Sequence, residues 1–326
     1  MIYIETGSDN VYHNFGLELY FAAEKKLDEP VLLFWRTTPT LMVGKYQNTL
    51  EEINQIYAEQ HGIQVVRRLS GGGTIYTDLG GWQFTFIDYN EDAQITFTQY
   101  IAPVVDALRA LGVPAEFNGR NDLVIGGRKF SGNAQYKQGG TTVHHGSLLF
   151  STDIAQMVAS TTVDPYKILS KSIKSVRDRV TNISEHLPQP MDTDAFKQHM
   201  VRYLMRGSER VYTPTEQDLA RIRQLASERF DNWQCKYGAN PKFEIVKTGR
   251  FAGGKMEFRL TVKKGVIQDA AVSGDYFAAE RADRLAQCVI GCAYEKTAVL
   301  AALQNAGMDG AVYGVSAAEI AMLITE

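Results

Sequence analysis

The segment RRLSGGGTIY, residues 67–76, is the first place where residue types and spacing suggest chemistry. Three consecutive glycines between two apolar, strand-like segments allow backbone N–H groups to approach an anion closely. Arg67 and Arg68 place positive charge beside them. No Gly-Lys-Ser/Thr follows, and a strand pattern comes where a helix would be needed, so neither a Walker loop nor a dinucleotide-binding fingerprint is indicated. The segment predicts a phosphate or carboxylate site, with a hairpin loop carrying two solvated arginines as the alternative.

A second glycine-rich segment, GRNDLVIGGRKFSGNAQY at residues 119–136, contains Lys129 in a strand-dominated context. A lysine that points into a cleft can bind a carboxylate and a phosphate together, because its ammonium is a compact charge with three donors. Asp122 is a candidate oxygen ligand for Mg²⁺. A solvated strand lysine and an aspartate that caps a turn are the simpler interpretations of these two residues.

Two further segments are candidates for pocket walls. In VHHGSLLF, residues 143–150, the adjacent histidines point to opposite faces of a strand, so they are poorly placed to bind one metal ion. The segment 166–183 is irregular and basic, and it is a candidate lid over phosphates or else a solvated surface run. Its positive side chains are Lys167, Lys171, Lys174, Arg177 and Arg179.

Composition narrows the classes of function. The chain has 326 residues, 44% hydrophobic and 22% charged, which is typical of a globular protein with about two domains. A net charge of −3 argues against a globally basic nucleic-acid binder. The apolar runs are too short to span a membrane, and the N-terminus lacks a signal-peptide pattern. The three cysteines all come late, which favours a reduced, cytoplasmic protein without a cysteine nucleophile in its glycine-rich half.

No Gly-x-Ser-x-Gly elbow of a serine hydrolase occurs either. An anion-binding site without an enzyme nucleophile fits ATP-dependent activation of a carboxylate.

Hydrophobic periodicity predicts the elements that must position these residues. The expected helices cover residues 13–27, 51–60, 94–111, 194–206, 216–230, 278–290 and 295–306. The expected strands cover 31–36, 40–44, 64–68 and 141–150, two strands around Gly80-Gly81, a hairpin at 121–132 with Gly126-Gly127 at its tip, and an alternating strand from 255. Residues 160–190 show no regular pattern. The cluster YGANP, at 237–241, predicts a boundary between a catalytic domain, 1–240, and a small accessory domain, 241–326.

Four motifs, taken together and in order, resemble those of bacterial lipoate–protein ligases: RRLSGGGTIYTDLG, GRNDL with RKFSGNAQ, HHGSLLF and KSVRDRVTN. NFGLELY and LFWRTTPTLMVGKYQN resemble the family's opening, and DNWQCKYGANPKF resembles the accessory domain of its two-domain members. The resemblance implies an α/β fold of the α+β type. Its core would be a mixed, largely antiparallel sheet flanked by helices, as in biotin ligases and class II aminoacyl-tRNA synthetases, followed by a small C-terminal α/β domain.

The resemblance also implies a two-step reaction. The carboxylate of lipoic acid attacks the α-phosphate of ATP and gives lipoyl-AMP and pyrophosphate. A lysine amine of an acceptor protein then attacks the mixed anhydride and releases AMP. Mg²⁺ is expected because the phosphate charge must be neutralised. The implied acceptor is a 2-oxo acid dehydrogenase E2 domain, a glycine-cleavage H protein or an H-like protein, and no nucleic-acid or membrane partner is expected.

Matching the motifs position by position implies roles for single residues. Lys129 would bridge the lipoyl carboxylate and the α-phosphate and stabilise their charge. Ala134 would lie against the lipoyl group, with Gly72 and His145 as further pocket walls. The loop that contains Lys174 would fold over the adenylate. Contacts to the nucleotide are implied for Arg68, Gly73, Thr74, Ile75 and Tyr76. An apolar tunnel for the dithiolane tail would be formed by Trp35, Val43 and Leu69.

The chain departs from the family's usual pattern at Thr77, where histidine is common, and at Gly81, where asparagine is common. These departures bear on the acyl group and the acceptor more than on the ATP chemistry.

Three hypotheses compete with the ligase interpretation. An ATP-independent octanoyl or lipoyl transferase of the same fold would need a cysteine nucleophile, and the N-terminal half of the chain has none. A non-catalytic module that binds the adenylate or the acceptor would not need all four motifs. A biotin ligase would carry an Arg-Gly-rich loop, which is absent here.

Overall fold

A seven-stranded sheet is the centre of the N-terminal two thirds of the chain. The computed structural model describes residues 1–47, 49–89, 96–161, 175–236, 245–263, 265–279, 282 and 284–325. In spatial order the sheet contains β1 (Ile2–Ile4), β2 (Val31–Trp35), β6 (Gly81–Asp88), β10 (Thr141–Leu149), β9 (Arg128–Gln138), β8 (Asp122–Ile125) and β7 (Glu116–Phe117). β1 is parallel to β2, and every other neighbouring pair is antiparallel. The predicted mixed, largely antiparallel sheet is therefore confirmed.

A smaller sheet carries the glycine-rich segment. It contains β4 (Gln64–Arg67), β3 (Thr40–Val43) and β5 (Ile75–Thr77), and residues 68–74 connect β4 to β5. The two strands expected around a turn at Gly80-Gly81 are present, but they do not pair with each other as a hairpin would, because β5 pairs with β3 while β6 pairs with β2 and β10. The Ser151 N–H donates to the Gly80 carbonyl at 2.7 Å, which ties this turn to the end of β10 where the chain crosses between sheets.

Helices cover both faces of the large sheet. Alternate residues of β2 point to opposite sides: Leu32 and Phe34 pack with the helices at 98–110 and 193–204, and Val31 and Leu33 pack with those at 11–24 and 216–229. The helices are α1 (Val11–Leu19, extended by a π-helical turn Tyr20–Glu24), α2 (Thr49–Glu52), α3 (Gln55–Gln60), α4 (Thr98–Ala110), α5 (Ile154–Thr161), α6 (Thr193–Leu204), α7 (Glu216–Arg229) and α8 (Trp233–Lys236). Short 3₁₀ turns occur at Ile183–His186 and Gln287–Val289. Within the described residues, no helix has the length and apolar character needed to cross a bilayer.

The C-terminal part has a core of its own. An antiparallel meander of β11 (Ile245–Phe251), β12 (Gly254–Lys263) and β13 (Val266–Gly274) packs against α9 (Lys296–Asn305) and α10 (Ala317–Thr325). The alternation predicted from residue 255 onward is confirmed in β12. The domain boundary expected at 237–241 lies outside the described residues and stays a prediction.

One sequence interpretation of the C-terminal part is wrong, and one helix there was not predicted. None of the described residues of 278–290 is α-helical: Ala282, Arg284 and Gln287–Val289 are in 3₁₀ conformation, and Ala278 and Ala279 are paired with the backbone at 311–312. Helix α10 is not predicted by the sequence patterns. Its sequence, AAEIAMLIT, is apolar on most sides, and such short runs do not distinguish a buried helix from a strand by periodicity.

Candidate functional site

The loop at residues 68–74 needs its glycines for two different reasons. A Cβ on Gly71 would lie 2.0 Å from the Tyr276 carbonyl oxygen, and one on Gly72 would lie 2.9 Å from Phe277. Gly72 also has φ +94° and donates its N–H to the Tyr276 carbonyl at 3.2 Å. A Cβ on Gly73 would meet no heavy atom within 4 Å. Gly71 and Gly72 thus allow the C-terminal part to approach closely, and Gly73 is the glycine that faces open space.

The two arginines beside the loop hold backbone in place. Arg68 is 5% exposed and donates to the carbonyls of Met42, Gly71 and Gly73, the last at 2.8 Å. Burial lowers the pKa of its guanidinium to about 10, so it remains protonated at neutral pH. Arg67 donates to the carbonyl of Gln47 at 2.6 Å and to that of Cys235 at 3.1 Å. Both side chains shape the site, and the contact of Arg68 with a nucleotide stays a prediction.

Lys129 is held near the start of β9. Its N–H donates to the Arg179 carbonyl at 2.7 Å, and its carbonyl accepts from the Thr181 N–H at 3.0 Å. Its Nζ lies 2.7 Å from Oδ1 of Asp122 on the adjacent strand. A Cβ on Gly132 would lie 3.2 Å from this Nζ, so glycine at 132 leaves room for the ammonium. Lys174, the lid residue expected from the motifs, lies outside the described residues.

Two cavities meet at Lys129. The first is narrow, about 100 Å³, and the second is about 300 Å³. The first is lined by Phe15, Trp35, Met42, Arg68, Gly72, Gly73, Thr74, Ile75, Gln83, Asn121, Lys129, Gly132, Asn133, Ala134, His145, Gly146, Ser147 and Phe277. The second is lined by Glu52, Thr74, Ile75, Tyr76, Lys129, Phe130, Ser131, Gly132, Ser147, Leu149, Met157, Val158, Thr161, Val176 and Val180.

Lys129, Ala134, Gly72, His145 and the five residues with implied nucleotide contacts, Arg68, Gly73, Thr74, Ile75 and Tyr76, each line at least one cavity. Lys129, Thr74 and Ile75 line both. Among the proposed tunnel walls, Trp35 lines the first cavity, but Val43 and Leu69 do not. Met42 takes that place, because adjacent residues of β3 face opposite sides and Val43 packs in a separate cluster with Leu41.

A buried polar network supports the wall formed by His145. Its Nε2 lies 2.6 Å from Ser70 Oγ, and its Nδ1 lies 3.2 Å from Glu18 Oε2. Glu18 is 1% exposed and also accepts from the Tyr136 hydroxyl at 3.2 Å, where burial raises the pKa of Tyr136. Sequence reasoning missed Glu18 and Ser70. The available signal was a glutamate inside the apolar run NFGLELYF, where a buried carboxylate needs partners.

The neighbouring His144 points away from the cavity, as the strand alternation predicts. Its ring stacks on Tyr100 at a centroid distance of 4.9 Å, and burial holds its pKa well below the usual value. It is therefore a neutral core residue.

The two departures from the usual family pattern pack against each other. A Cβ on Gly81 would lie 3.2 Å from Thr77 Oγ1, and Thr77 Oγ1 accepts from Gln83 Nε2 at 2.7 Å. Thr77 and Gly81 line neither cavity, whereas Gln83 lines the first. Thr77 thus reaches the site through Gln83.

Asp122, the predicted Mg²⁺ ligand, is the ion-pair partner of Lys129. Among the described residues, no three His, Cys, Asp or Glu side chains are grouped as a dedicated metal centre would need. A single carboxylate beside Lys129 would suit Mg²⁺ that arrives on a nucleotide, because this ion is commonly bound by one or two carboxylates plus substrate phosphates. Asp122 as a ligand to that ion stays a prediction.

The fold and the site define a protein in which two cavities, side by side, share one lysine. Residues 10–205 match the lipoyl protein ligase A/B catalytic domain, and residues 240–324 match the bacterial lipoate protein ligase C-terminus. The chain belongs to the lipoate–protein ligase family, which confirms the resemblance inferred from the motifs. Lipoate-protein ligase LplJ of Bacillus subtilis is 40% identical over 300 residues, covering 90% of this chain and 91% of that protein.

Solved structures share the architecture. Plasmodium falciparum LipL1 in complex with lipoate superposes with a TM-score of 0.78 at 22% identity over 93% of this chain and 94% of its own, which supports the fold. A lipoate-protein ligase A bound with ATP gives a TM-score of 0.61 at 25% identity, covering 73% of this chain and 97% of its own. A bi-partite lipoate protein ligase from Thermoplasma acidophilum, described with its E2 lipoyl domain, gives a TM-score of 0.66 at 26% identity, covering 75% of this chain and 98% of its own.

Proposed function

We propose that this chain is an ATP-dependent lipoate–protein ligase that forms lipoyl-AMP and transfers the lipoyl group to a lysine of an acceptor protein. The observation that carries the proposal is the position of Lys129, which lines both the narrow cavity and the wider one. Its ammonium can therefore contact a carboxylate held on one side and a phosphate held on the other.

In the first step, the narrow cavity binds the acyl chain among Phe15, Trp35 and Met42, with its carboxylate at Lys129. A carboxylate oxygen attacks the α-phosphorus of ATP, the bond to the β-phosphate oxygen breaks, and pyrophosphate leaves. Lys129 stabilises the negative charge shared by the carboxylate and the α-phosphate. A preorganised cation of this kind is the usual source of such stabilisation.

The second step consumes the mixed anhydride. The acceptor's lysine amine, in its neutral form, attacks the acyl carbonyl carbon. The carbon–oxygen bond to AMP breaks, AMP leaves, and the new amide loses a proton to solvent. Lys129 stays close to the carbonyl oxygen and to the phosphate in both steps, and it acts as a charge and not as a nucleophile.

The wider cavity is the proposed nucleotide site. Thr74, Ile75 and Tyr76 line it. The preceding Gly73 lines the narrow cavity, and a Cβ there would meet no heavy atom within 4 Å, which leaves space for a phosphate oxygen. Val176 and Val180, which belong to the basic segment 166–183 that also contains Lys174, line the same cavity. We propose that this segment covers the adenylate, and that Mg²⁺ enters with ATP. A relative bound with ATP supports the nucleotide assignment.

The acceptor is proposed to be a lipoyl domain, either an E2 domain or an H or H-like protein. The archaeal relative described with its E2 lipoyl domain supports this class of partner. We propose a division at about residue 240 between the catalytic domain and an accessory domain that orders the adenylate site. A cytoplasmic location stays a prediction.

The competing transferase hypothesis requires a cysteine at the reacting acyl group. None of the residues that line the two described cavities is a cysteine, and Cys235 contacts Arg67 through its carbonyl. This arrangement favours the ATP-dependent reaction.

The test is lipoate-dependent pyrophosphate release from MgATP without any acceptor. A burst of about one equivalent per enzyme, because the adenylate stays bound, would support the proposal. Absence of release both alone and with each candidate lipoyl domain would refute it. Replacing all three cysteines with serine should leave the burst intact. An ATP-independent acyltransferase would instead release no pyrophosphate, and it would lose acyl transfer to the lipoyl domain when its cysteine is replaced.

A further inference from the structure

Phe277 follows the C-terminal meander in the chain but packs in the core of the N-terminal part. Its side chain is 1% exposed and belongs to the cluster with Phe97 and Leu123, whereas its neighbour Tyr276 belongs to the C-terminal core. Its ring lies 5.4 Å from that of Phe97, at an angle of 67°. One side chain of the accessory part therefore enters the catalytic part.

The position of this ring is set by several contacts around it. The Gly72 N–H donates to the Tyr276 carbonyl at 3.2 Å, and the Gly274 N–H donates to the Tyr46 carbonyl at 2.5 Å. The rings of Tyr46 and Tyr276 stack at a centroid distance of 4.4 Å. These contacts attach the end of the meander to the glycine loop and to the loop after β3.

The Phe277 ring forms a wall of the narrow cavity, which also contains Lys129. It lies against Gly72, where a Cβ would come within 2.9 Å, and the Arg120 guanidinium carbon lies 5.6 Å from its centroid. Arg120 precedes Asn121, another lining residue. The ring thus lies between the glycine loop and the residues just before β8, and it presents carbon atoms to the cavity.

We propose that Phe277 is a positioning residue that retains the acyl-adenylate and shields its anhydride from water until an acceptor lysine arrives. The inference rests on the proposed function. An acyl phosphate anhydride is lost when water attacks its carbonyl or phosphorus, or when it dissociates, and closing the site suppresses both side reactions. The accessory part contributes the wall, and Lys129 contributes the charge.

The experiment measures pyrophosphate release from MgATP and lipoate without acceptor, in the full-length wild type and in Phe277→Leu, Phe277→Val and Phe277→Ala. The wild type should release one burst and then turn over slowly. We expect release after the burst to become about tenfold faster in the alanine variant. The leucine variant should stay close to wild type and the valine variant should fall between them, because the rate follows the apolar volume removed. If the alanine variant does not fold, the leucine–valine comparison carries the same test.

Phe258→Ala is the matched control, because Phe258 is fully buried inside the C-terminal core and lines neither cavity. Equal rates after the burst in wild type and all Phe277 variants would overturn the inference while leaving the ligase activity intact. An equal acceleration in Phe258→Ala would also overturn it, because the effect would then come from general loosening of the accessory part. Release of pyrophosphate only when a lipoyl domain is present would overturn the inference alone, because no adenylate would then wait in the site. Absence of release both without acceptor and with each candidate lipoyl domain would refute the proposed function and the inference with it.

Discussion

Gly132→Ala is the substitution that most directly tests the placement of Lys129. A Cβ at residue 132 would lie 3.2 Å from the Lys129 Nζ and 3.3 Å from its Cε, with the Asp122 carboxylate 3.8 Å away. These distances to Lys129 are shorter than ordinary van der Waals contact. The backbone of Gly132 does not need positive φ, so the new methyl group acts through space and not through strain. The lysine end is flexible and will move by a few tenths of an ångström or more.

The size of the effect follows from that displacement. A misplacement of about 1 Å at a reacting group costs roughly 100-fold in rate, so a smaller shift should lower the rate of adenylation by about 10- to 100-fold. Stability should fall by less than about 1 kcal/mol, because only a flexible side chain must yield. The assay is single-turnover formation of lipoyl-AMP at saturating lipoate and ATP, with urea unfolding as the folding check.

Arg128→Ala is the control, since Arg128 is the neighbouring cation on β9 and lines neither cavity. Its adenylation rate should stay within about twofold of wild type, as expected for a surface change away from the site. A Gly132→Ala enzyme with the wild-type rate would refute the assigned position of the ammonium. A large rise in the KM for lipoate at an unchanged saturated rate would show that the methyl group blocks the acyl chain instead.

The other predictions concern the same lysine and two buried charges. Lys129→Ala should lower single-turnover adenylation by about 100- to 1000-fold while tryptophan fluorescence and melting temperature stay near wild type, and an unchanged rate would exclude its role in charge stabilisation. Arg68→Ala should lower the free energy of unfolding by about 3 kcal/mol in urea titration, because three carbonyls of the small sheet and glycine loop lose their donor. A loss below about 1 kcal/mol would contradict the role of Arg68 in holding this backbone. Asp218→Asn should lower the free energy of unfolding by about 2 kcal/mol at neutral pH. Burial raises the pKa of Asp218, but hydrogen bonds from Lys25, Tyr20 and Tyr212 hold it well below its usual value. The stabilisation is therefore complete above the unfolded pKa of about 4 and is lost as pH falls through the lower folded pKa. Urea titrations from neutral to strongly acidic pH should show the free energies of unfolding of the wild type and the variant converging. A difference that stays constant with pH would exclude a link between stability and protonation of the Asp218 carboxylate.

Sequence periodicity predicts most of the elements because it reports which side of each element is buried. Helix α4 is predicted at 94–111 and found at Thr98–Ala110, and helix α7 is predicted at 216–230 and found at Glu216–Arg229. The first has Ile101, Val104 and Leu108 on its buried face, and the second begins with a Thr215–Asp218 capping box. Local signals of this kind lie within a few turns of the chain.

The failures share one cause. The strands on either side of Gly80-Gly81 look like a hairpin locally, but each finds a better partner in another sheet. Residues 278–279 look helical, but the backbone near 311 holds them extended. In both regions tertiary pairing outweighs local preference, and no short window of sequence contains that information.

By itself, the sequence determined the chemistry of the site. Consecutive glycines beside arginines, a lysine in RKFSG and the absence of an early cysteine already indicated anion binding and carboxylate activation, and the ordered motifs indicated the family. Only the tertiary structure decided that Lys129 lies where two cavities meet and that Glu18 and Ser70 support His145. It also showed why residues 71 and 72 must be glycine: a Cβ at either position would collide with Tyr276 or Phe277. The reason is distance along the chain: motifs are local, whereas Ser70 and His145 are 75 positions apart and Glu18 and His145 are 127 apart, so these residues meet only through packing.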